Sequence, residues 1–262
     1  MKILRALADA HRRRQEALSR ALATEYRAAR ERYQATAPGT ERERAWSATV
    51  VRMIHRYGAA SAELAAEYYT DARKAAGVPG AFDVPVAGPP PIGQITASRR
   101  AVRATASRRP PDDADDGKAA QQWEAVQAER DLVRVQRLAA QAGRRTIEKA
   151  ARADPQAVGW RRVTTAGCCA FCALLAVNGL VYTDQRTAAR REDGEPYHDR
   201  CHCHAEPAFR GVKPQPQPQV DAWEALYYEA SHGVYGSEKL TAFRRAFDAK
   251  HRSRPPADRA TI

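Results

Sequence analysis

The chain has 262 residues, 43 of them Lys or Arg against 31 Asp or Glu, for a formal net charge of +12. With 44% hydrophobic residues and a mean hydropathy of −0.63 it can fill one large or two modest domains around a lean core, and no run is apolar enough to span a membrane. The basic surplus favours polyanionic neighbours, DNA first among them, although Arg- and Ala-rich composition equally suits long solvated helices.

Residues 1–80 read as an N-terminal helical hairpin. Apart from Pro38-Gly39 the stretch to Gly77 is almost free of helix breakers. Leu4, Leu7, Leu18, Leu22, Tyr26 and Tyr33 recur at helical spacing before that break, and Trp46, Val50, Ile54, Tyr57, Leu64 and Tyr68 after it. Thr40-Glu-Arg-Glu43 has the form of a capping box, with Thr40 at the N-cap, and Gly77 with Pro79-Gly80 marks the stop. The pair Tyr68-Tyr69 beside Arg73 and Lys74 has the look of a stacking platform for bases, but aromatic residues on an apolar helix face are expected in the core. No export segment is expected, because Arg12-Arg13-Arg14 arrives before an adequate apolar stretch.

Residues 81–117 read as a connector. Val84-Pro-Val-Ala-Gly-Pro-Pro-Pro91 favours extended backbone, and the basic run Arg99, Arg100, Arg103, Arg108, Arg109 reads as solvated linker rather than a DNA-facing segment. Residues 118–159 then carry one long helix, marked by Trp123, Val126, Leu132, Val135, Leu138 and Ile147, with an Arg-rich face leading into the cysteine-bearing segment.

Residues 160–210 hold all five cysteines, in Cys168-Cys169-Ala-Phe-Cys172 and Tyr197-His198-Asp-Arg-Cys201-His202-Cys203-His204. Cys169-x-x-Cys172 and His198-x-x-Cys201 each aim two soft ligands at one centre, and together they form a Cys3His set suited to a tetrahedral structural zinc with no open position for catalysis. Cys168 can replace Cys169, and Cys203 can replace Cys201. His202 and His204 widen the choice, and a disulfide or free thiols remain alternatives, the disulfide disfavoured by the expected reducing compartment. Trp160 to Val163 reads as a short strand with Leu180 to Tyr182 as a partner, Gly167 as a turn near the metal, and Thr187 to Glu195 as a surface loop. Residues 211–220 form a Pro/Gln spacer, and 221–262 a helical tail. In that tail Trp223, Leu226, Tyr227, Leu240, Phe243 and Phe247 need cover from the first helices, another subunit or a partner, and Arg252 to Ile262 is expected to fray. The fold class is mainly α with a small zinc-stabilised α+β module.

The sequence Gly167-Cys-Cys-Ala-Phe-Cys172, Asn178-Gly-Leu-Val-Tyr182, the run from Tyr197 to Cys203 and Glu206-Pro-Ala-Phe209 resemble the phage Mu F-like minor head proteins, some of which are labelled capsid maturation protease. Where many relatives read His-Pro-Asn-Cys-Arg-Cys, this chain has His198-Asp-Arg-Cys201-His-Cys203. The resemblance implies a virion protein of low copy number, placed in the host cytoplasm during assembly. It would act with portal and capsid or scaffold proteins near the portal vertex, without a membrane. No catalytic residue is assigned. Ser231-His232 and the pair Ser61 and His55 are the only suggestive nucleophile and base neighbours, and Gly-x-Ser-x-Gly and His-Glu-x-x-His are both missing. A DNA-binding zinc module acting in packaging or ejection is the third reading, resting on Arg186, Arg190, Arg191 and Arg200.

Overall fold

The computed structural model describes residues 2–106, 117–164, 168–177, 197, 199, 201, 203–213, 217–236 and 238–251. Gly167, the 180–182 strand, the 187–195 loop, His198, His202, Arg186, Arg190, Arg191, Arg200 and the fraying tail from 252 lie outside these residues. In chain order the elements are α1 (Lys2–Gln34), α2 (Thr40–Ala75), α3 (Ile92–Ala106), α4 (Gly117–Ala153), β1 (Ala157–Val163), α5 (Ala170–Val177), β2 (His204–Phe209), α6 (Pro218–Ala230) and α7 (Glu238–His251). The protein is mainly helical, with a two-stranded sheet. Among the described residues no helix is long and apolar enough to cross a membrane.

Helices α1, α2 and α4 bury their apolar stripes against one another. Leu22, Tyr26, Val50, Ile54, Leu132, Val135 and Leu138 are at most 1% exposed, each removing apolar area worth roughly 25 cal/mol per Å2 from water. Small residues let α2 and α4 approach closely: a Cβ built on Gly143 would lie 2.7 Å from the Ser61 carbonyl oxygen. Tyr68 and Tyr69 are core residues, as aromatic residues on an apolar stripe should be, while Val126 near the start of α4 is 45% exposed.

Two local expectations need correction. Thr40 is already helical and Gly39 takes the N-cap, so no capping box forms; the Glu43 carboxylate accepts the Tyr33 hydroxyl instead. At the other end Gly77, at φ 69°, closes α2 in a Schellman arrangement in which Val78 N–H donates to Arg73 O and Gly77 N–H to Lys74 O. The basic run of the connector is also not linker where it is described. It is helix α3, because Ile95 enters the bundle core and Arg99 points inward to Asp131 at 3.6 Å, where Asp131 also accepts the Tyr26 hydroxyl at 2.8 Å.

A second core joins the bundle to the sheet through Tyr69, Ile147, Trp160, Ala205 and Phe209. Asp154, just past α4, accepts Arg73 Nε at 2.9 Å and the Tyr69 hydroxyl at 3.2 Å, locking the C-terminal ends of α2 and α4 together. Strand β1 pairs antiparallel with β2, Trp160 opposite Pro207 and Arg162 opposite Ala205. Pro207 is tolerated because each strand of a two-stranded sheet has a free edge.

Four apolar residues of the tail are covered from within, while Leu240 is 45% exposed. Trp223, Leu226, Phe243 and Phe247 pack on Ala170, Ala173 and Ala176 of α5, so the cysteine module is their partner rather than the first helices. The described end of the spacer is anchored too: the Gln217 side chain donates to Arg162 O and accepts Thr164 N–H.

Candidate metal centre

Cys172, Cys201 and Cys203 bring their sulfurs within 4.8 Å of one another. Helix α5 and the segment leading into β2 place them. Cys172 lies in the first turn of α5, an apolar helix with Cys172 toward the thiols and Ala170, Ala173 and Ala176 toward the tail. Cys201 and Cys203 lie on the approach to β2, which begins at His204. His204 is the first residue of β2. Its buried ring lies outside the thiol group, and burial, with the charges of His11, Arg12, Arg144 and Arg161, pushes its pKa down to about 3.

The donor set fits a soft divalent ion. Metal–sulfur bonds of about 2.3 Å in a tetrahedron give sulfur–sulfur edges of about 3.8 Å, and Cys172 Sγ to Cys201 Sγ is 3.6 Å. That separation is far beyond the roughly 2.05 Å of a disulfide, and all five cysteines are free thiols. Hydrogen bonds from Cys172 and Cys203 hold the Cys201 thiol well below its usual value, while contact with Cys169, Cys201 and Cys203 keeps the proton on Cys172. A metal would take the place of the shared protons.

Of the ligands expected from the sequence, Cys172 and Cys201 are in this group, joined by Cys203, which the sequence offers only as a replacement for Cys201. Cys169 is exposed and outside the 4.8 Å group. It nonetheless caps α5: its sulfur accepts Cys172 N–H at 3.5 Å and its carbonyl accepts Ala173 N–H. Cys168 is half-buried, and burial with Cys169 and Cys201 nearby pushes its thiol up to about 12.

Helix α4 grips the second half of the site along one face. Arg134, Arg137, Arg144 and Glu148 follow helical spacing. Arg134 and Arg137 donate to Asp199 at 3.2 and 2.7 Å, and Arg144 donates to the carbonyls of Cys201 and Cys203 at 2.6 and 3.2 Å. Burial opposes ionisation of Asp199, but the two arginines outweigh it and hold the carboxyl below its usual value. Tyr197 is 3% exposed, with its hydroxyl 3.5 Å from Glu148. The guanidinium carbons of Arg144 and Arg162 lie 4.2 and 4.0 Å from its ring centroid. Reasoning from sequence misses these arginines as parts of the site; the available signals are the helical spacing on α4 and the strand alternation that separates Arg161 from Arg162.

The same scaffold matches a family model described as VG15 protein over residues 2–230. The chain belongs to the VG15 protein family. The match runs from α1 to the end of α6, so VG15 membership rests on the helical bundle as well as on the cysteine module. Comparison with curated proteins and with solved structures gave no match.

Of the two serine and histidine neighbours singled out in the sequence, Ser61 and His55 both lie on α2, and Ser231 and His232 follow α6. Ser61 is buried and donates to Gln15 Oε1 at 2.8 Å, and His55, six residues earlier on α2, lies roughly 240° around the helix from it. Ser231 is buried as the C-cap of α6, while His232 is exposed.

Proposed function

We propose that this VG15 chain is a minor head protein of a tailed phage, acting in head morphogenesis beside the portal within the procapsid, with a structural zinc held by Cys172, Cys201, Cys203 and a fourth ligand from Cys169 or His198. The observation that carries the metal part is the convergence of three thiols at the joint where α4, α5 and β2 meet. The head role is supported by the Mu F-like pattern, whose two cysteine segments are the ones that meet there. A zinc in that place ties secondary structure elements together and supplies folding free energy; four protein ligands leave no position for water to be activated.

The residues around the thiols act as its frame. Asp199 fixes the loop to α4, Arg144 orients the two ligand carbonyls, and the N–H of Cys172 is already directed at Cys169. Purified procapsids test the reading: the chain should sediment with portal and coat protein and carry one zinc per copy. Particles that assemble and mature normally without the chain would overturn the head role. A protease role instead requires Ser231→Ala or His232→Ala to block coat or scaffold processing, and a DNA role requires binding that falls steeply between low and moderate salt.

A further inference from the structure

Helix α5 packs two ways at once. Cys172 belongs to the thiol cluster with Tyr197 and Cys203, while Ala173 and Ala176 meet Trp223, Phe243 and Phe247 of the α6–α7 hairpin. Cys168, just ahead of the helix, packs against both groups. With 8 residues α5 is well short of the ~12–15 at which an isolated helix becomes even marginal in water, so it stands on these tertiary contacts. The tail helices, of 13 and 14 residues, are little better placed, and their own apolar side chains Trp223 and Phe243, 5% and 0% exposed, are covered where α5 is helical.

We infer that α5 couples the metal centre to the tail: zinc on the thiols holds the α6–α7 hairpin in its seat, and loss of zinc releases it, baring the apolar face of Trp223, Phe243 and Phe247. This rests on the zinc site proposed for Cys172, Cys201 and Cys203. Without the metal the first turn of α5 loses its anchor, and a helix this short cannot keep three alanine-faced contacts in line from the tail side alone. The linkage is reciprocal. Whatever factor bound zinc adds to the seating of the tail, a seated tail adds to zinc affinity. The release has a fixed root, because Gln217 and Gln219 bond the backbone of Arg162 and Thr164 at the end of β1. These bonds involve neither α5 nor the thiols, so the hairpin swings from the start of α6 rather than leaving the protein.

The test reads the coupling from both ends on the full chain. Amide hydrogen exchange is followed in peptides from α6 and α7 and in peptides from α1 and α2, with zinc bound and after chelation. Zinc affinity is measured by chelator competition in wild type, Phe243→Ala and, as a bundle control, Ile54→Ala, both residues being 0% exposed. Chelation should speed exchange in α6 and α7 by about 10-fold or more and leave α1 and α2 unchanged, and Phe243→Ala should weaken zinc binding by about 10-fold. Ile54→Ala should bind zinc as wild type does. Equal protection of α6 and α7 in the two forms, a rise in exchange that α1 and α2 share, or unaltered zinc affinity in Phe243→Ala would overturn the inference while leaving the zinc reading in place. A wild-type chain that binds no zinc would overturn both. If Phe243→Ala does not fold, Leu226→Ala, at the 9% exposed rim of the same cluster, decides by the same two readouts.

Discussion

The bundle of α1, α2 and α4 and the module around α5 and β2 solve the same problem by different means. The bundle covers apolar stripes with apolar stripes and pairs buried polar groups such as Tyr26 with Asp131. The module is too small for that. Its core cluster of Cys172, Tyr197 and Cys203 is mostly sulfur, bounded by arginines and held to α4 by ion pairs and carbonyl contacts. Long helices can be stabilised by area alone, whereas short elements need a specific bond, and a metal is the strongest one a reduced thiol cluster can make.

The largest expected effect separates the two regions outright. Cys172→Ser, or chelation of the wild type, should abolish zinc retention and the ordered packing of the module, while far-ultraviolet circular dichroism keeps most of the signal from the three long helices. Loss of the bundle signal in the same step would erase the distinction. Next comes the joint between the regions. Asp154→Ala strands the buried Arg73 guanidinium and should cost about 3–5 kcal/mol in denaturant unfolding. Within the bundle, Gly143→Leu drives a side chain into the Ser61 backbone and should destabilise by about 3 kcal/mol, with zinc affinity unchanged.

Legibility in the sequence divides along the same line. Helices α1, α2 and α4 are readable because Leu22, Ile54 and Leu138 recur at a period that only a helix turns into one face. Strand β1 is readable from Trp160 to Val163, but its observed partner β2 is not, since Pro207 and two charged or ionisable side chains mask a strand pattern. Helix α3 is hidden by its arginines: composition marks Arg99 as solvated, and only the tertiary position of Asp131 makes it an inward residue. The thiol site is legible as a site but not as a ligand set. Spacing favours His198-x-x-Cys201, whereas the structure groups Cys203 with Cys172 and Cys201.

The smallest effect tests the contact between α1 and the sheet, where the two regions touch. His11 is 6% exposed, and its ring stacks on Tyr68 at 4.5 Å. Burial lowers its pKa to about 4, a backbone hydrogen bond with Leu64 works the other way, and Arg14 lowers it further; His204 and the Arg161–Glu206 pair face the same interface. Because the folded value lies below the ordinary one near 6.5, the unfolded chain binds the extra proton between those values. The His11 contribution is therefore intact above about pH 6.5 and is lost as pH falls toward 4, amounting to roughly 2 kcal/mol by pH 5. His11→Phe keeps a ring against Tyr68 and removes the titration, so unfolding free energies of the two proteins should diverge by that amount between pH 7 and pH 5. Acid release of metal affects both alike and cancels in the difference. Parallel profiles would mean that the α1 contact opens before His11 is protonated, and that the bundle and the module respond to acid as separate bodies.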